Sequence, residues 1–265
     1  MSRPQAADVW RDVERVRSVN PLIFNITNYV VTNTTANALL ALGASPAMAE
    51  SPLETAELAG LASALVLNIG TPTSDMREGM FRALHIANDR GIPVVLDPVA
   101  AGVTRLRMEL CRRFLTEHRI EIVRGNASEI MALAGENAVP KGADSANTTD
   151  EAREAALGLA RTHGCVVCVS GSEDIVTDGT VEIRVANGNP MMTRVTGLGC
   201  TATALVGAFA AINDDHVQAC AHAMTVMGVA GELAAAVSPG PGSLQMHFYD
   251  RLYSLNADEL VRLVR

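Results

Sequence analysis

The chain has 265 residues, 48% of them hydrophobic, 19% charged and 3% aromatic, with a formal net charge of -8. That length suits one α/β domain or two small ones. An acidic chain with few aromatics excludes an extended nucleic-acid interface and base-stacking platforms. Its only lysine is Lys141, in a polar stretch, so a bound phosphate must be met by arginine, metal or backbone N–H groups. The cysteines are Cys111, Cys165, Cys168, Cys200 and Cys220; an odd, scattered set predicts a reducing cytosol rather than a disulfide framework. Met1-Ser-Arg-Pro-Gln5 has no apolar signal region, which agrees with a cytoplasmic protein.

In chain order, Val9, Val13 and Val16 recur at helical spacing and Asn20-Pro21 stops the run, predicting a helix over 9–19. Leu22–Thr27 reads as a short apolar strand ending in polar residues, Thr32–Leu42 as a helix ended by Gly43, and Ser45–Ala49 as a small-residue strand. Ser51-Pro52-Leu53-Glu54 has the form of a capping box with proline at the first helical position, predicting a helix to about Leu61. Ala64–Ile69 and Ile92–Asp97 are near-continuous apolar runs, the mark of strands covered on both faces. A helix over Ser74–Arg90, capped by Gly91, separates them. Arg105–Leu115 reads as a helix, Ile120–Val123 as a strand and Asn126–Ala134 as a helix. The polar stretch Gly135–Asn147 reads as a loop, because the alternation resumes with a helix over Thr149–His163 and a strand over Cys165–Val169. Asp174–Val185 has the form of a hairpin with a type I′ turn at Asp178-Gly179. Two or three alanine-rich helices close the chain. The apolar run Val217–Val237 reads as a buried helix and not a membrane span, because His222 and Glu232 interrupt it. The alternation predicts an α/β fold with a mostly parallel sheet, right-handed crossovers and helices on both faces, in one domain over 1–265.

One stretch stands apart: Met192-Thr-Arg-Val-Thr-Gly-Leu-Gly-Cys-Thr-Ala-Thr-Ala204. It reads as a short β-branched strand, a glycine-punctuated turn and a helix that opens at once. Gly197 and Gly199 allow a tight turn and close approach of a ligand to the backbone. The helix N–H groups and dipole then make an anion site, with phosphate the usual occupant. Cys200 sits where the dipole is strongest, which is expected to lower its thiol pKa and make it a base or nucleophile candidate. As a dinucleotide fingerprint the motif is weak, because helices follow it and not a strand bearing a ribose-binding acid. A Walker A loop is absent from the sequence.

In an open parallel sheet, ligands bind outside the carboxyl ends of the strands. The residues there are Asn25 and Thr27; Gly70 and Thr71; Asp97; Arg124, Gly125 and Asn126; Ser170 and Gly171; and Thr196 to Cys200. Together they predict the rim of a nucleotide-sized crevice. Asp97, before Pro98, reads either as a turn aspartate or as a carboxylate for Mg²⁺ beside phosphates. Asn126-Ala-Ser-Glu129 reads equally as an N-cap with its capping-box glutamate or, with Arg124, as phosphate and Mg²⁺-water contacts of a nucleoside triphosphate. Cys165 and Cys168, three apart on a strand, point to opposite faces and cannot chelate together.

With these residues assembled, the chain resembles the hydroxyethylthiazole kinases of the ribokinase-like group over nearly its whole length. The resemblance rests on Asn28-Tyr-Val-Val-Thr-Asn-Thr-Thr-Ala-Asn-Ala-Leu-Leu-Ala-Leu-Gly-Ala-Ser-Pro-Ala-Met48, Leu96-Asp-Pro-Val-Ala-Ala-Gly102, Val123-Arg-Gly-Asn-Ala-Ser-Glu-Ile130 and Val195-Thr-Gly-Leu-Gly-Cys200, in this order and spacing. It implies a ribokinase-like three-layer αβα fold with a mostly parallel central sheet. It implies ATP-dependent phosphorylation of the hydroxyl of 4-methyl-5-(2-hydroxyethyl)thiazole, a salvage step toward thiamine, with Mg²⁺ and a homotrimer whose sites lie between subunits. Carried over, Arg124 and Ser170 would contact ATP, Met48 and Gly197 the thiazole, and Asp97 and Glu129 the metal and phosphates. Asn126 joins the ATP set as a rim residue, and Asn25 and Thr27 join the thiazole set. Gly197, Gly199 and Cys200 would form the catalytic turn, with Cys200 where most ribokinase-like enzymes have aspartate. The nearest alternative is a kinase of another small alcohol, such as a hydroxymethylpyrimidine, on the same fold.

Overall fold

Helix α1 (Ala6–Val19) buries Val9, Val13 and Val16 along one stripe and ends where Asn20 turns left-handed at φ 50. Strand β1 (Leu22–Ile26), helix α2 (Thr32–Leu42) and strand β2 (Ser45–Met48) follow. After them come α3 (Thr55–Leu61), β3 (Ala64–Asn68), α4 (Ser74–Arg90), β4 (Val94–Asp97), α5 (Arg105–Glu117), β5 (Ile122–Asn126) and α6 (Ala127–Leu133). Two short strands, β6 (Pro140–Lys141) and β7 (Asp144–Ser145), pair as an antiparallel ribbon. The chain then runs through α7 (Arg153–His163), β8 (Val166–Ser170), β9 (Asp174–Thr177), β10 (Glu182–Val185), a 3-10 turn (Pro190–Arg194), α8 (Leu198–Ala210), α9 (His216–Ala235), α10 (Pro241–Ser254) and α11 (Ala257–Leu263). This computed structural model describes residues 2–135, 140–141, 144–145 and 148–265, with the backbone alone at 140–141 and 144–145.

The main sheet has the order β10-β9-β8-β5-β4-β3-β1-β2. Only β9 runs against its neighbours. Side chains alternate between two apolar layers, as a strand period of two requires. Ile23, Val66, Val95 and Ile122 pack with α1, α2, α8, α9, α10 and α11 on one face. Phe24, Leu65, Leu67, Leu96 and Val123 pack with α3, α4, α5, α6 and α7 on the other. Fully burying one such side chain contributes roughly 1.5–3 kcal/mol. Both faces therefore hold their helices, and the three-layer α/β arrangement expected from the alternation is present. Helix α8 is buried nearly all round, as befits a helix lying between the sheet and outer helices. The order reverses between β1 and β3, since β2 lies on one side of β1 and β3 on the other. This is the place where an open α/β sheet leaves a crevice.

Several local expectations need correction. No strand precedes Gly197: Asn189 caps a 3-10 turn over Pro190–Arg194, and Pro190 occupies its first position. Ser51 caps only a preliminary turn, its Oγ accepting from Leu53 N at 3.3 Å. Helix α3 starts later, at Thr55, with no side-chain cap. Helix α7 likewise starts at Arg153, after a turn that Thr148 and Glu151 close reciprocally. The β9–β10 hairpin pairs Thr177 with Glu182, leaving a four-residue loop, 178–181, and not a two-residue turn. Asp178 Oδ1 accepts from Thr180 N and Val181 N at 2.7 Å each, which stabilises the wider loop. The loop expected over 135–147 falls largely outside the described residues, and its described part contains the β6–β7 ribbon. The run from Val217 is a buried helix, α9, as expected. Among the described residues no helix is long and apolar enough to cross a membrane. Cys165 and Cys168 lie in opposite apolar layers, as their spacing required.

Candidate active site

Helix α8 opens at the strand ends with Gly197 as its N-cap, at φ 84 and with no side-chain cap. A Cβ at this position would lie 2.4 Å from Val31 Cγ1. Only glycine fits, and the uncapped first turn keeps its N–H groups for an anion. Leu198 turns inward and is buried with the α8 core. Gly199, Cys200 and the backbone are what the turn presents.

Arg124 reaches this turn from β5. Its Nη1 donates to the Gly199 carbonyl at 3.0 Å, and its Nη2 to Ser170 Oγ at 2.6 Å. Its Nε is buried without a partner. Burial opposes the charge, but Asp97 and other nearby acids outweigh it, so the guanidinium is held even more firmly protonated than usual. Asp97 ends β4, and its Oδ2 accepts from Asn68 Nδ2 at 2.7 Å and from Thr203 Oγ1 at 2.8 Å. Burial pushes the Asp97 carboxyl up, against the opposing pull of Arg124, Thr203 and Asn68.

Glu129 stands at the start of α6. Asn126 N donates to its Oε2 at 2.8 Å, and Asn126 Oδ1 accepts from Glu129 N at 3.0 Å, a complete capping box. Ala100 N donates to its other oxygen at 2.7 Å. The same glutamate thus caps α6 and holds the turn after β4. Burial, aided by the charge of Asp97, raises its pKa to about 7.

At Cys200 the expected lowering of the thiol pKa is reversed. Burial, with the charge of Asp97 behind it, pushes the thiol up to about 12, despite N–H groups from Asn68 and Asn28. Asn28 Nδ2 lies 3.5 Å from Cys200 Sγ and 2.8 Å from Asn68 Oδ1.

Bonds therefore connect Asp97, Arg124, Ser170, Gly199 and Cys200. Asn126 and Glu129 sit beside them. Asn25 and Met48 are register partners across β1 and β2, with Thr27 buried just beyond β1. Asn25 Nδ2 donates to Ile23 O at 2.9 Å, while its buried Oδ1 has no partner. Asn28, Asn68 and Thr203 were not among the sequence candidates, and nor was Arg107. That last side chain donates to the carbonyls of Ile69, Gly70 and Val99 at 3.1, 2.6 and 2.6 Å, joining the loops after β3 and β4. Asn68 carried a usable signal, since it interrupts an apolar strand one place before its end. Arg107 carried none, because an arginine on an amphipathic helix reads as a solvated face.

Among the described residues, no three His, Cys, Asp or Glu side chains are grouped to hold a metal alone. Asp97 and Glu129 still fit Mg²⁺, which binds through one or two carboxylates and keeps its waters or phosphate oxygens. Burial raises both carboxyls, and the charge of Asp97 raises that of Glu129 further; a cation would offset that charge.

A model of the hydroxyethylthiazole kinase family matches residues 13–258. The chain is 53% identical over 260 residues to a hydroxyethylthiazole kinase of Oleidesulfovibrio alaskensis, covering 97% of this chain and 98% of the relative. It is 55% identical over 242 residues to one of Granulibacter bethesdensis, covering 91% and 88%. The solved structure of a hydroxyethylthiazole kinase protein from Pyrococcus horikoshii matches with TM-score 0.90 and 40% identity over 98% of each chain. A ribokinase-like superfamily protein from Enterococcus faecalis shares the fold, with TM-score 0.61 at 11% identity over 87% and 86% of the two chains.

Proposed function

This chain belongs to the hydroxyethylthiazole kinase family, and on that premise we propose how its residues carry out the reaction. The reaction is phosphorylation of the hydroxyl of 4-methyl-5-(2-hydroxyethyl)thiazole, a step toward thiamine, with ATP as the phosphoryl donor. The observation that carries the reading is Arg124, which joins the mouth of α8 to Ser170 within reach of Asp97.

Phosphoryl transfer needs alignment and charge neutralisation more than covalent help. The N–H groups of the Gly197–Cys200 turn hold the transferring phosphoryl group. Arg124 offsets its charge, with Ser170 and Asn126 on the ATP side. Asp97 and Glu129 hold Mg²⁺, which supplies further neutralisation when bound. Asn25, Thr27, Met48 and Gly197 receive the thiazole, and the free Asn25 Oδ1 offers it a buried acceptor. With its thiol pKa near 12, Cys200 keeps its proton and orients the alcohol as a hydrogen-bonding partner. The hydroxyl proton leaves late in the transfer and passes to an oxygen of the transferred phosphoryl group, in keeping with a loose transition state.

The full chain acts as one kinase domain in the cytoplasm and assembles as a homotrimer with sites between subunits. Support for assembly comes from the family resemblance and from the exposed apolar Tyr29, Val30 and Leu53, which follow β1 and β2. Light scattering is expected to give three times the chain mass; a monomer would remove this part of the reading. The central test is ADP formation with the hydroxyethylthiazole as acceptor, with and without Mg²⁺. Turnover that requires both supports the assignment. Turnover with a hydroxymethylpyrimidine and none with the thiazole would replace the substrate.

A further inference from the structure

We propose that Asn28 is a positioning residue for Cys200: its carboxamide ties the sulfur to Asn68 and so fixes the thiol beside the Asp97 carboxylate, where it meets the reacting alcohol. The proposal rests on the reading that Cys200 takes part in the transfer.

Asn28 lies in the loop after β1 and is buried. Its Oδ1 accepts from Val30 N at 3.1 Å, which identifies the other end of the amide as the donor. The two hydrogens on Nδ2 then serve Asn68 Oδ1 at 2.8 Å and Cys200 Sγ at 3.5 Å. Asn68 is oriented in the same way. Its Oδ1 takes bonds from Asn28 and from Gly70 N at 3.0 Å, leaving Nδ2 to donate to Asp97 Oδ2 at 2.7 Å. Thr203, one turn along α8 from Cys200, donates to the same Asp97 oxygen at 2.8 Å.

The bonds therefore form a ring. Cys200 and Thr203 are its two points on α8; Asn28, Asn68 and Asp97 stand at the ends of β1, β3 and β4. Neither amide can flip without setting like groups against each other, so the ring has one sense. That sense points an N–H at the sulfur, which steadies its rotamer. The ring also straddles β1 and β3, where the strand order reverses. Gly70 provides the seat: a Cβ there would lie 2.7 Å from both Cβ and Nδ2 of Asn28.

The test is a double-mutant cycle on the full chain with Asn28→Ala, Cys200→Ala and the pair, reading kcat, both KM values and Tm. Asn28→Ala is expected to lower kcat roughly 10-fold in the parent, with ATP KM changed less than about 2-fold. In the Cys200→Ala background its further effect is expected to be below about 2-fold, because the atom it acts through is gone. An equal loss in both backgrounds, or no loss in the parent, would overturn the proposal. Gly70→Ala crowds Asn28 without deleting it and is expected to lower kcat in the same cycle-dependent way. It replaces Asn28→Ala if that variant does not fold. If Cys200→Ala alone leaves kcat unchanged, the reading of Cys200 fails, and the proposal is judged on thiol reactivity. Cys200 is partly buried and the other four cysteines are fully buried, so iodoacetamide labelling reports on it. A changed labelling rate in Asn28→Ala supports the bridge, and an unchanged rate refutes it.

Discussion

Cys200 occupies the first turn of α8, where a helix N-terminus favours a thiolate, yet it is packed beside Asp97. Burial and the neighbouring carboxylate outweigh two amide donors and the charge of Arg124, and the thiol rises to about 12. A group that stays protonated at neutral pH orients the substrate better than it deprotonates it. Cys200→Ala is therefore expected to lower kcat by roughly 10²-fold at most, the low end for loss of general acid–base help. A larger loss in steady-state assays would require a covalent role. Arg124 acts differently, because its fork spans the Gly199 carbonyl and Ser170 Oγ. Lysine, a point charge, cannot span both. Arg124→Ala and Arg124→Lys should each raise the KM for ATP, by about 10-fold or more, a cost of roughly 1.4 kcal/mol or more in binding. Unchanged ATP kinetics in either variant would remove Arg124 from the nucleotide site.

The glycine turn and the capping boxes illustrate what local patterns establish. Asn126 and Glu129 form the reciprocal cap their spacing announces, and that cap leaves Glu129 an oxygen for the Ala100 turn. The Ser51–Glu54 pattern is of the same kind but does not close, because the helix proper begins at Thr55. At Gly197 the constraint is steric as well as conformational. A left-handed non-glycine residue costs roughly 1–2 kcal/mol, and here the new Cβ would also meet Val31. Gly197→Ala is expected to lower kcat/KM for both substrates by about 10-fold or more, since the turn must move off the phosphoryl position. Near-parental kinetics would show that the turn is not the anion cradle.

Across the whole molecule, α1 is tied to α9 by a buried pair remote from the strand ends. Asp12 Oδ2 takes bonds from His222 Nδ1 and Asn213 Nδ2, both at 2.7 Å. Burial alone would raise the Asp12 carboxyl. Bonds from His222 and Asn213, with the charges of His222 and Arg15, hold it below its ordinary value. Removing Asp12 leaves the donors of His222 and Asn213 without their acceptor, at a cost of about 1–3 kcal/mol for a buried unsatisfied group. Asp12→Ala should therefore unfold at lower denaturant at neutral pH. A depressed folded-state pKa stabilises above the unfolded value, about 4, and is lost as pH falls through the folded one. The gap between parent and Asp12→Ala should thus narrow below about pH 4 in chemical denaturation. A gap independent of pH would mean that the loss is one of packing alone.

Much of this protein was legible in its residues. Apolar runs, glycine stops and the late glycine turn specified an α/β sheet with helices on both faces. They also specified which polar residues end the strands. Periodicity is local physics, and burial of both strand faces makes it plain. What only the tertiary structure decided is which of those residues meet. Asn25, Asn68, Asp97, Arg124 and Ser170 are in phase with Ile23, Val66, Val95, Ile122 and Cys168, the strand positions facing the layer that holds α8 and α9. A period of two gives each strand two faces without saying which one α8 covers. The bridge of Asn28 and Asn68 depends on contacts 29 to 172 residues apart, and Arg107 reaches Ile69 from 38 residues away. The raised thiol of Cys200 needs the same assembly, because desolvation by distant strands overrides the helix end that its own neighbours provide.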